Sequence, residues 1–402
     1  MIEAIGKVGV VGLGVMGFDI AFLYAMKGFH TSVYDASKAV MESLTSRREQ
    51  IFERLKRRNR VSDNETENIR KLLIPAPDLA RLSQADLITE AVLENAHTKL
   101  AVYRALKDAG FEGVLTTNTS SLTRATLLAG GAYDKAKFAT THFFNPVLHT
   151  RMVEVVKGDM EESNFAAVLS FLKSLGRDPI ETKDISGFVS NSILMVYAVM
   201  ALHLLACGAR IEEVDQTAKK MRLLPPFISF DSWKPSIVED VTQVMFELRG
   251  DHFLRSSKLL AALAKNNPRF YIDQKPNPEI YQRIEARGAN CGEASIKRAL
   301  KVSIWTSAAR TVELGESPAI VDSIATEGIK IPQAPLREID SLGTAKVIQE
   351  LSELQRELPQ IRLDPPQLLD AMAGERETFY KNDQVNPWAL VTRNKVIHHA
   401  GH

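Results

Sequence analysis

The sequence predicts an α/β domain built on a parallel sheet, followed by an all-α region made of two related halves. Three observations carry that reading. Between residues 7 and 185 short apolar runs alternate with amphipathic stretches, the pattern of strands joined by helical crossovers. A Gly12-x-Gly14-x-x-Gly17 run separates the apolar VGVV from a helical stretch. From Gly187 onward strand signals fade and helical periodicity takes over, beginning with FVSNSILMVYAVMALHLLACG.

In chain order the expected strands are VGVVGL, HTSVYD, ADLITEAV, GVLTTNT, KFATTHFF, RMVEVVK and DPIETK. Most are continuous apolar runs, as parallel strands covered on both faces require. The charged insertion from Ser37 to Arg81 is expected as a helical hairpin standing off the sheet. A boundary near Ile185 divides the chain into a domain over 1–185 and helical domains over 186–290 and 291–402.

The helical part repeats itself. GARIEEVDQTAKKMRLLP from Gly208 resembles GESPAIVDSIATEGIKIP from Gly315, so Val214/Val321, Asp215/Asp322 and Pro225/Pro332 share one offset of 107 (315 − 208). Asp231/Asp340, Phe270/Phe379 and Tyr271/Tyr380 share another, 109 (340 − 231). A two-residue insertion between the sets makes this a tandem duplication of one helical unit.

The 402 residues suffice for two or three domains. Fifty Lys plus Arg against forty-nine Asp plus Glu give a formal charge of +1, so no global field draws the protein to nucleic acid or an anionic membrane. Any anion is gripped locally. The opening MIEAIGK lacks a secretory pattern, and no stretch reaches the roughly 18 charge-free apolar residues of a membrane span. A cytoplasmic protein without membrane insertion is expected. Cys207 and Cys291 lack metal-ligand or redox spacing and are expected as buried thiols, with no metal site.

The glycine run has a mechanical rationale. One glycine makes the turn, one lets the backbone approach a pyrophosphate, and one allows helix and strand to pack, while the helix N-terminus presents unpaired N–H groups. Asp35 ends the next strand 18 residues after Gly17, where a carboxylate accepts both ribose hydroxyls and repels a 2′-phosphate. The expectation is therefore a Rossmann-type domain that prefers NAD to NADP. Asp19 is expected to face away from the phosphates and stabilise the helix start.

Three later segments place polar side chains where apolar ones would serve a core better. TTNTSSL ends a strand at Thr116 to Leu122; THFFNPVLHTRMVEVVKG holds His142, Asn145 and, twelve residues after the histidine, Glu154; SGFVSNSIL holds Asn191. A histidine beside an acid is the pair that removes a proton from an alcohol as hydride leaves its carbon.

With GLGVMG, ADLITEAVLEN followed by Lys99, NTSSL, HFFNPV with MVEVVKG, and GFVSNSIL, the chain resembles the L-3-hydroxyacyl-CoA dehydrogenases, including the dehydrogenase half of multifunctional β-oxidation enzymes. The resemblance implies His142 as catalytic base, Glu154 as its partner, Ser120 as the serine touching substrate and nicotinamide, and Asn191 as the amide polarising the reacting oxygen. NAD would be held by Gly12, Gly14, Val15, Met16, Gly17 and Asp35, with Glu94, Lys99, Asn145 and Lys265 as further contacts. Arg57 and Arg58 stand near the lysine with which the family holds CoA. No hydratase domain is expected, since the glycine loop begins at residue 12.

The departures concern the acyl pocket more than the reaction. Ser192 follows Asn191 where the family usually has Arg, Ser186 replaces a Pro, and LPPFISFDSWKPS and NNPRFY lack the usual glycines. Asp19 occupies a position that is often Gly. Two other readings use the same residues: a dehydrogenase of acyl-carrier-protein thioesters, docked on Arg54, Lys56, Arg57, Arg58 and Arg60, and a dinucleotide-binding module without turnover. The second helical copy would cover the apolar surface through which single-copy relatives dimerise, so a monomer or weak homodimer is expected.

Overall fold

The computed structural model describes residues 5–284 and 291–390. It falls into two compact units, Met1–Asp184 and Ile185–His402. The expected boundary between residues 290 and 291 abuts residues 285–290, which lie outside the described residues.

The first unit is a sheet covered by helices. In chain order it comprises β1 (Lys7–Val11), α1 (Val15–Met26), β2 (His30–Tyr34), α2 (Lys38–Arg57), α3 (Asp63–Leu72), β3 (Leu73–Pro75) and β4 (Leu87–Glu90). There follow α4 (Ala96–Asp108), β5 (Val114–Thr117), α5 (Arg124–Leu127), β6 (Phe138–Phe143), β7 (Met152–Val156), α6 (Glu162–Ser174) and β8 (Asp178–Glu181). The strand order is β3-β2-β1-β4-β5-β6-β7-β8. Strands β4 to β7 are buried along their whole length, as apolar runs under two helical layers must be.

After β1 the chain winds to one side through β2 and β3, then crosses back to β4 on the other. That reversal opens a crevice at the carboxyl ends of β1 and β4, where sheets of this class bind ligands. The sheet departs from the expected one in two respects. It has an eighth strand, β3, which extends the edge beyond β2 inside the supposed helical insertion. And β7 runs antiparallel to β6, because eight residues are too few for a crossover and return the chain as a hairpin.

The second unit holds α7 (Ser190–Ala206), α8 (Ile211–Lys220), α9 (Pro226–Trp233), α10 (Pro235–Arg249), α11 (Lys258–Ala264), the two-residue strands β9 (Tyr271–Ile272) and β10 (Lys275–Pro276), and α12 (Pro278–Gln282). It continues with α13 (Glu293–Glu313), α14 (Pro318–Ser323), α15 (Pro335–Leu342), α16 (Thr344–Glu357), α17 (Gln367–Glu375), β11 (Tyr380–Lys381) and β12 (Gln384–Val385). Helices α7 and α13 pack on each other, and each is buried over most of its circumference.

The same polar frame occurs twice here. Asp215 accepts the Phe227 and Ile228 N–H groups that open α9 and the Tyr271 hydroxyl at 3.0 Å; Asp322 accepts the Leu336 N–H at α15 and the Tyr380 hydroxyl at 2.8 Å. Asp231 accepts the Phe270 and Tyr271 N–H groups, and Asp340 those of Phe379 and Tyr380. Asn277 and Asn386 each donate a side-chain amide N–H to the carbonyl eight residues earlier. Cys207 and Cys291 are buried free thiols.

Two orphaned N–H groups in a partly buried turn are expensive. Asp340→Ala is expected to lower unfolding free energy by about 1–3 kcal/mol, read by urea denaturation. Asp231→Ala is expected to cost a similar amount if the two frames carry equal loads.

Candidate active site

Gly12 follows β1 with φ +87°, and a Cβ there would lie 2.7 Å from the backbone of Ala91, just past β4. On Gly17 a Cβ would lie 1.8 Å from the Gly12 carbonyl oxygen, so only hydrogen lets α1 sit down on the strand. Gly14 differs. A Cβ on it would meet nothing within 4 Å; it is exposed, and it caps α1 without a side-chain hydrogen bond. The helix thus starts with uncapped N–H groups facing open space, with no acid in its first turn.

The loop is tied from both sides. Asp35 accepts the Leu13 N–H at 2.7 Å on one carboxylate oxygen and the Ser37 N–H at 2.8 Å on the other. Arg47 of α2 donates to the Leu13 and Gly14 carbonyls at 2.5 and 2.8 Å, its guanidinium 4.0 Å from the centre of the Phe18 ring. Nothing in the sequence patterning singled out Arg47. Asp19 is the fifth residue of α1 and so lies outside the first turn, which overturns the expectation that it stabilises the helix start. Burial pushes its carboxyl pKa up, while the charges of Arg47, Arg54 and His149 oppose that rise.

His142 and Glu154 are direct partners in the β6–β7 ladder. Their spacing of twelve is the length of the hairpin. The His142 Nδ1 lies 2.8 Å from a Glu154 carboxylate oxygen; Glu154 is fully buried and His142 7% exposed, its ring 5.6 Å from that of Phe144. An ionised Glu154 keeps the proton of the neutral ring on Nδ1 and the basic lone pair on Nε2. Asn118, just beyond β5, accepts the Phe143 N–H at 2.9 Å and so pins its loop to the strand carrying His142.

Glu94 organises that loop. One carboxylate oxygen accepts the Thr119 hydroxyl at 2.6 Å and the Ser120 N–H, Ser121 N–H and Ser121 hydroxyl at 2.8 Å. Burial alone would raise its pKa, but the Lys99 charge and these hydrogen bonds outweigh it and hold the pKa below the usual carboxylate range.

Beneath lies Glu90, a residue the motifs did not single out. It accepts Lys99 Nζ, the Val92 N–H and the Tyr103 hydroxyl at 2.7 Å each and the Thr117 hydroxyl at 2.8 Å. An acid inside an otherwise apolar strand, nine residues before a lysine, was the available signal. Lys99 is fully buried between Glu90 and, at 3.5 Å, Glu94; burial pushes its pKa down, but both carboxylates reverse that and hold it up. Lys99, for which the resemblance implied a cofactor contact, has no exposed surface.

The remaining candidates are more open. Val15 is exposed and Met16 half-buried at the head of α1; Asn145 is exposed in the β6–β7 hairpin. Arg57 and Arg58 are exposed at the end of α2, with Arg57 3.3 Å from Glu53. Lys265 is exposed at the end of α11 and Asn191 is the second residue of α7, both in the second unit. Among the described residues no group of acids, histidines and cysteines could hold a metal ion, and no helix is long and apolar enough to cross a membrane.

The chain is similar to known proteins. Residues 7–185 match the NAD binding domain of 3-hydroxyacyl-CoA dehydrogenase, and residues 187–270 match its C-terminal domain. The mitochondrial hydroxyacyl-coenzyme A dehydrogenase of Rattus norvegicus is 31% identical over 225 residues, which cover 54% of this chain and 71% of the relative. The fatty acid oxidation complex subunit alpha of Shewanella amazonensis is 26% identical over 401 residues, 94% of this chain but 56% of that protein, so the chain spans little more than half of it. The crystal structure of 3-hydroxybutyryl-CoA dehydrogenase from Escherichia coli K12 superposes with a TM-score of 0.73 at 20% identity, over 93% of this chain and all of that one, a likeness of fold.

Two changes separate packing from charge. Gly17→Ala is expected to cost about 3 kcal/mol or more in thermal or chemical denaturation, since the added carbon meets rigid backbone. Because folding lowers the Glu94 pKa, its stabilisation is complete above the usual carboxylate range and lost as pH falls through the folded value. The melting-temperature gap between wild type and Glu94→Gln should therefore be wide at neutral pH and close on acidification.

Proposed function

The chain belongs to the 3-hydroxyacyl-CoA dehydrogenase family, and on that premise we propose that it interconverts an L-3-hydroxyacyl thioester and the 3-oxoacyl thioester, with CoA as carrier. The observation that carries the reading is the 2.8 Å pairing of His142 with a fully buried Glu154.

The glycine loop fits a dinucleotide. Gly14 leaves the space for a close backbone approach, the uncapped start of α1 at Val15 and Met16 supplies N–H groups to a pyrophosphate, and Asp35 stands at the edge of β2 for a ribose. When bound there, NAD supplies the nicotinamide that accepts or returns the hydride at C3 of the acyl group. Arg47 keeps the Leu13 and Gly14 carbonyls turned toward α2 and leaves the N–H side of the loop to the phosphates.

His142 Nε2 takes the hydroxyl proton as the C3–H bond breaks, and Glu154 stabilises the resulting imidazolium. Reduction returns that proton. Glu154 also keeps the ring from rotating, so the base meets each substrate in one tautomer. Ser120 faces the substrate from a turn whose N–H groups are fixed on Glu94, while Lys99 acts through Glu94 and Glu90. Asn191 polarises the reacting oxygen and Asn145 and Lys265 contact the cofactor, roles that rest on the family resemblance.

Arg57 and Arg58 are read as CoA contacts. A carrier-protein partner draws less support, because Lys56 pairs with Asp63 and Arg57 with Glu53, which removes part of the positive field that would dock an acidic domain. We further read the second unit as two copies of one helical domain, over 186–290 and 291–402, whose mutual packing through α7 and α13 buries within one chain what would otherwise be a dimer face.

With acetoacetyl-CoA and NADH, His142→Ala is expected to lower kcat by about two to four orders of magnitude. Its NADH affinity, followed by fluorescence titration, should stay near that of the wild type. A wild type that binds NADH yet turns over neither CoA nor carrier-protein thioesters would sink the dehydrogenase reading. Sedimentation velocity at micromolar concentration is expected to give a species of one chain; a tight dimer would contradict the duplication argument.

A further inference from the structure

The turn that opens the second unit is held by a guanidinium from a distant helix. Arg249, the last residue of α10, has a side chain only 4% exposed. Its Nη1 donates to the Ser192 hydroxyl at 3.0 Å and to the Ser186 carbonyl at 3.4 Å, and its Nη2 reaches the Asp251 carboxylate at 3.4 Å. Its Nε is buried with no acceptor among the described residues. One turn earlier on α10, Met245 fills the space beside Gly187, where a Cβ would stand 2.6 Å from the thioether sulfur. The backbone between these anchors is bent: Gly187 has φ +80° and Phe188, a bulky residue, φ +49°. Asn191 lies inside this segment, immediately before Ser192, whose own hydroxyl donates to the Phe188 carbonyl.

Stability alone does not explain a charge in this place. An apolar side chain of similar length would fill the volume without the desolvation cost and without a stranded N–H. Burial lowers the Arg249 pKa to about 10, which still leaves the group charged at neutral pH. The guanidinium does what an apolar chain cannot: its Nη1 ties two points of the turn, Ser186 and Ser192, while its Nη2 is held by Asp251, which sets the orientation of the plane. It also brings a guanidinium to the side chain at 192.

We propose that Arg249 is a positioning residue: it locks the Ser186–Ser192 turn and so aims the Asn191 amide at the substrate oxygen. This rests on the dehydrogenase reading for the role of Asn191, but the locking itself is independent of turnover. A side-chain displacement of about 1 Å at a reacting centre costs up to about 100-fold in rate.

The test combines kinetics with a signal from Asn191. Arg249→Met is expected to lower kcat about 10- to 100-fold with acetoacetyl-CoA while the NADH KM stays within about twofold. In protein labelled with 15N-asparagine, the Asn191 side-chain signal, assigned through Asn191→Asp, should move in the variant. Adding Ser192→Arg to Arg249→Met should recover at least about tenfold in kcat and return the signal toward its wild-type position. Where Arg249→Met does not fold, Arg249→Lys, which keeps the charge but ends one bond short of Nη1 and has no second arm for Asp251, takes its place in both measurements. An unmoved Asn191 signal with kcat within about twofold of wild type overturns the proposal, as does a loss of kcat matched by an equal loss of NADH affinity. If the wild type itself is inactive, the dehydrogenase reading has failed, and the Asn191 signal alone decides: movement supports the lock and no movement overturns it.

Discussion

The site hangs on the register of two antiparallel strands. Because β6 and β7 pair with His142 opposite Glu154, the imidazole meets its acid through backbone geometry and not through a flexible loop. A slip of one residue would leave the two side chains on opposite faces of the sheet. From that ladder the order spreads outward in steps: Asn118 grips the strand at Phe143, the Asn118 loop continues into the turn held by Glu94, and Glu94 rests on Lys99 and through it on Glu90. Each step joins a side chain to a backbone group or to another buried charge, so none of these residues has much freedom of its own.

Buried charge is the unusual ingredient of the first unit. Glu90, Lys99 and Glu154 are all fully buried, at a desolvation cost of several kcal/mol per ion unless paired. All three have close partners, and Glu90 has four donors. Such a cluster adds little net stability over an apolar core, but a misplaced member would be left as an uncompensated charge. Alternative arrangements of the loops at the strand ends are therefore costly.

The glycine loop, the strand run and the twelve-residue interval could be read directly, because each is a local pattern with one mechanical meaning. What escaped the reading is what depends on partners far away in sequence. β3 is three residues long, ends in proline and has no periodicity; only its pairing with β2 makes it a strand. The direction of β7 was concealed because a buried antiparallel strand has the same apolar run as a parallel one. Arg47 and Arg249 resembled ordinary solvated arginines on helices, yet each closes on carbonyls or hydroxyls between 33 and 63 residues away. Lys99 was visible as a motif residue, but its complete burial was not. The repeat in the helical part was legible at its aspartates and its Phe-Tyr pairs, since those residues form the frame that recurs in three dimensions.

The packing of α7 on α13 has a thermodynamic consequence. Two helices joined by one chain meet at an effective concentration set by their connection and not by how much protein is present. Where two separate subunits supply such a helix pair, dilution separates it, and folding stability varies with protomer concentration. Here the pairing is first-order. The turn bearing Asn191 opens α7, so the support α7 draws from α13 does not depend on protein concentration.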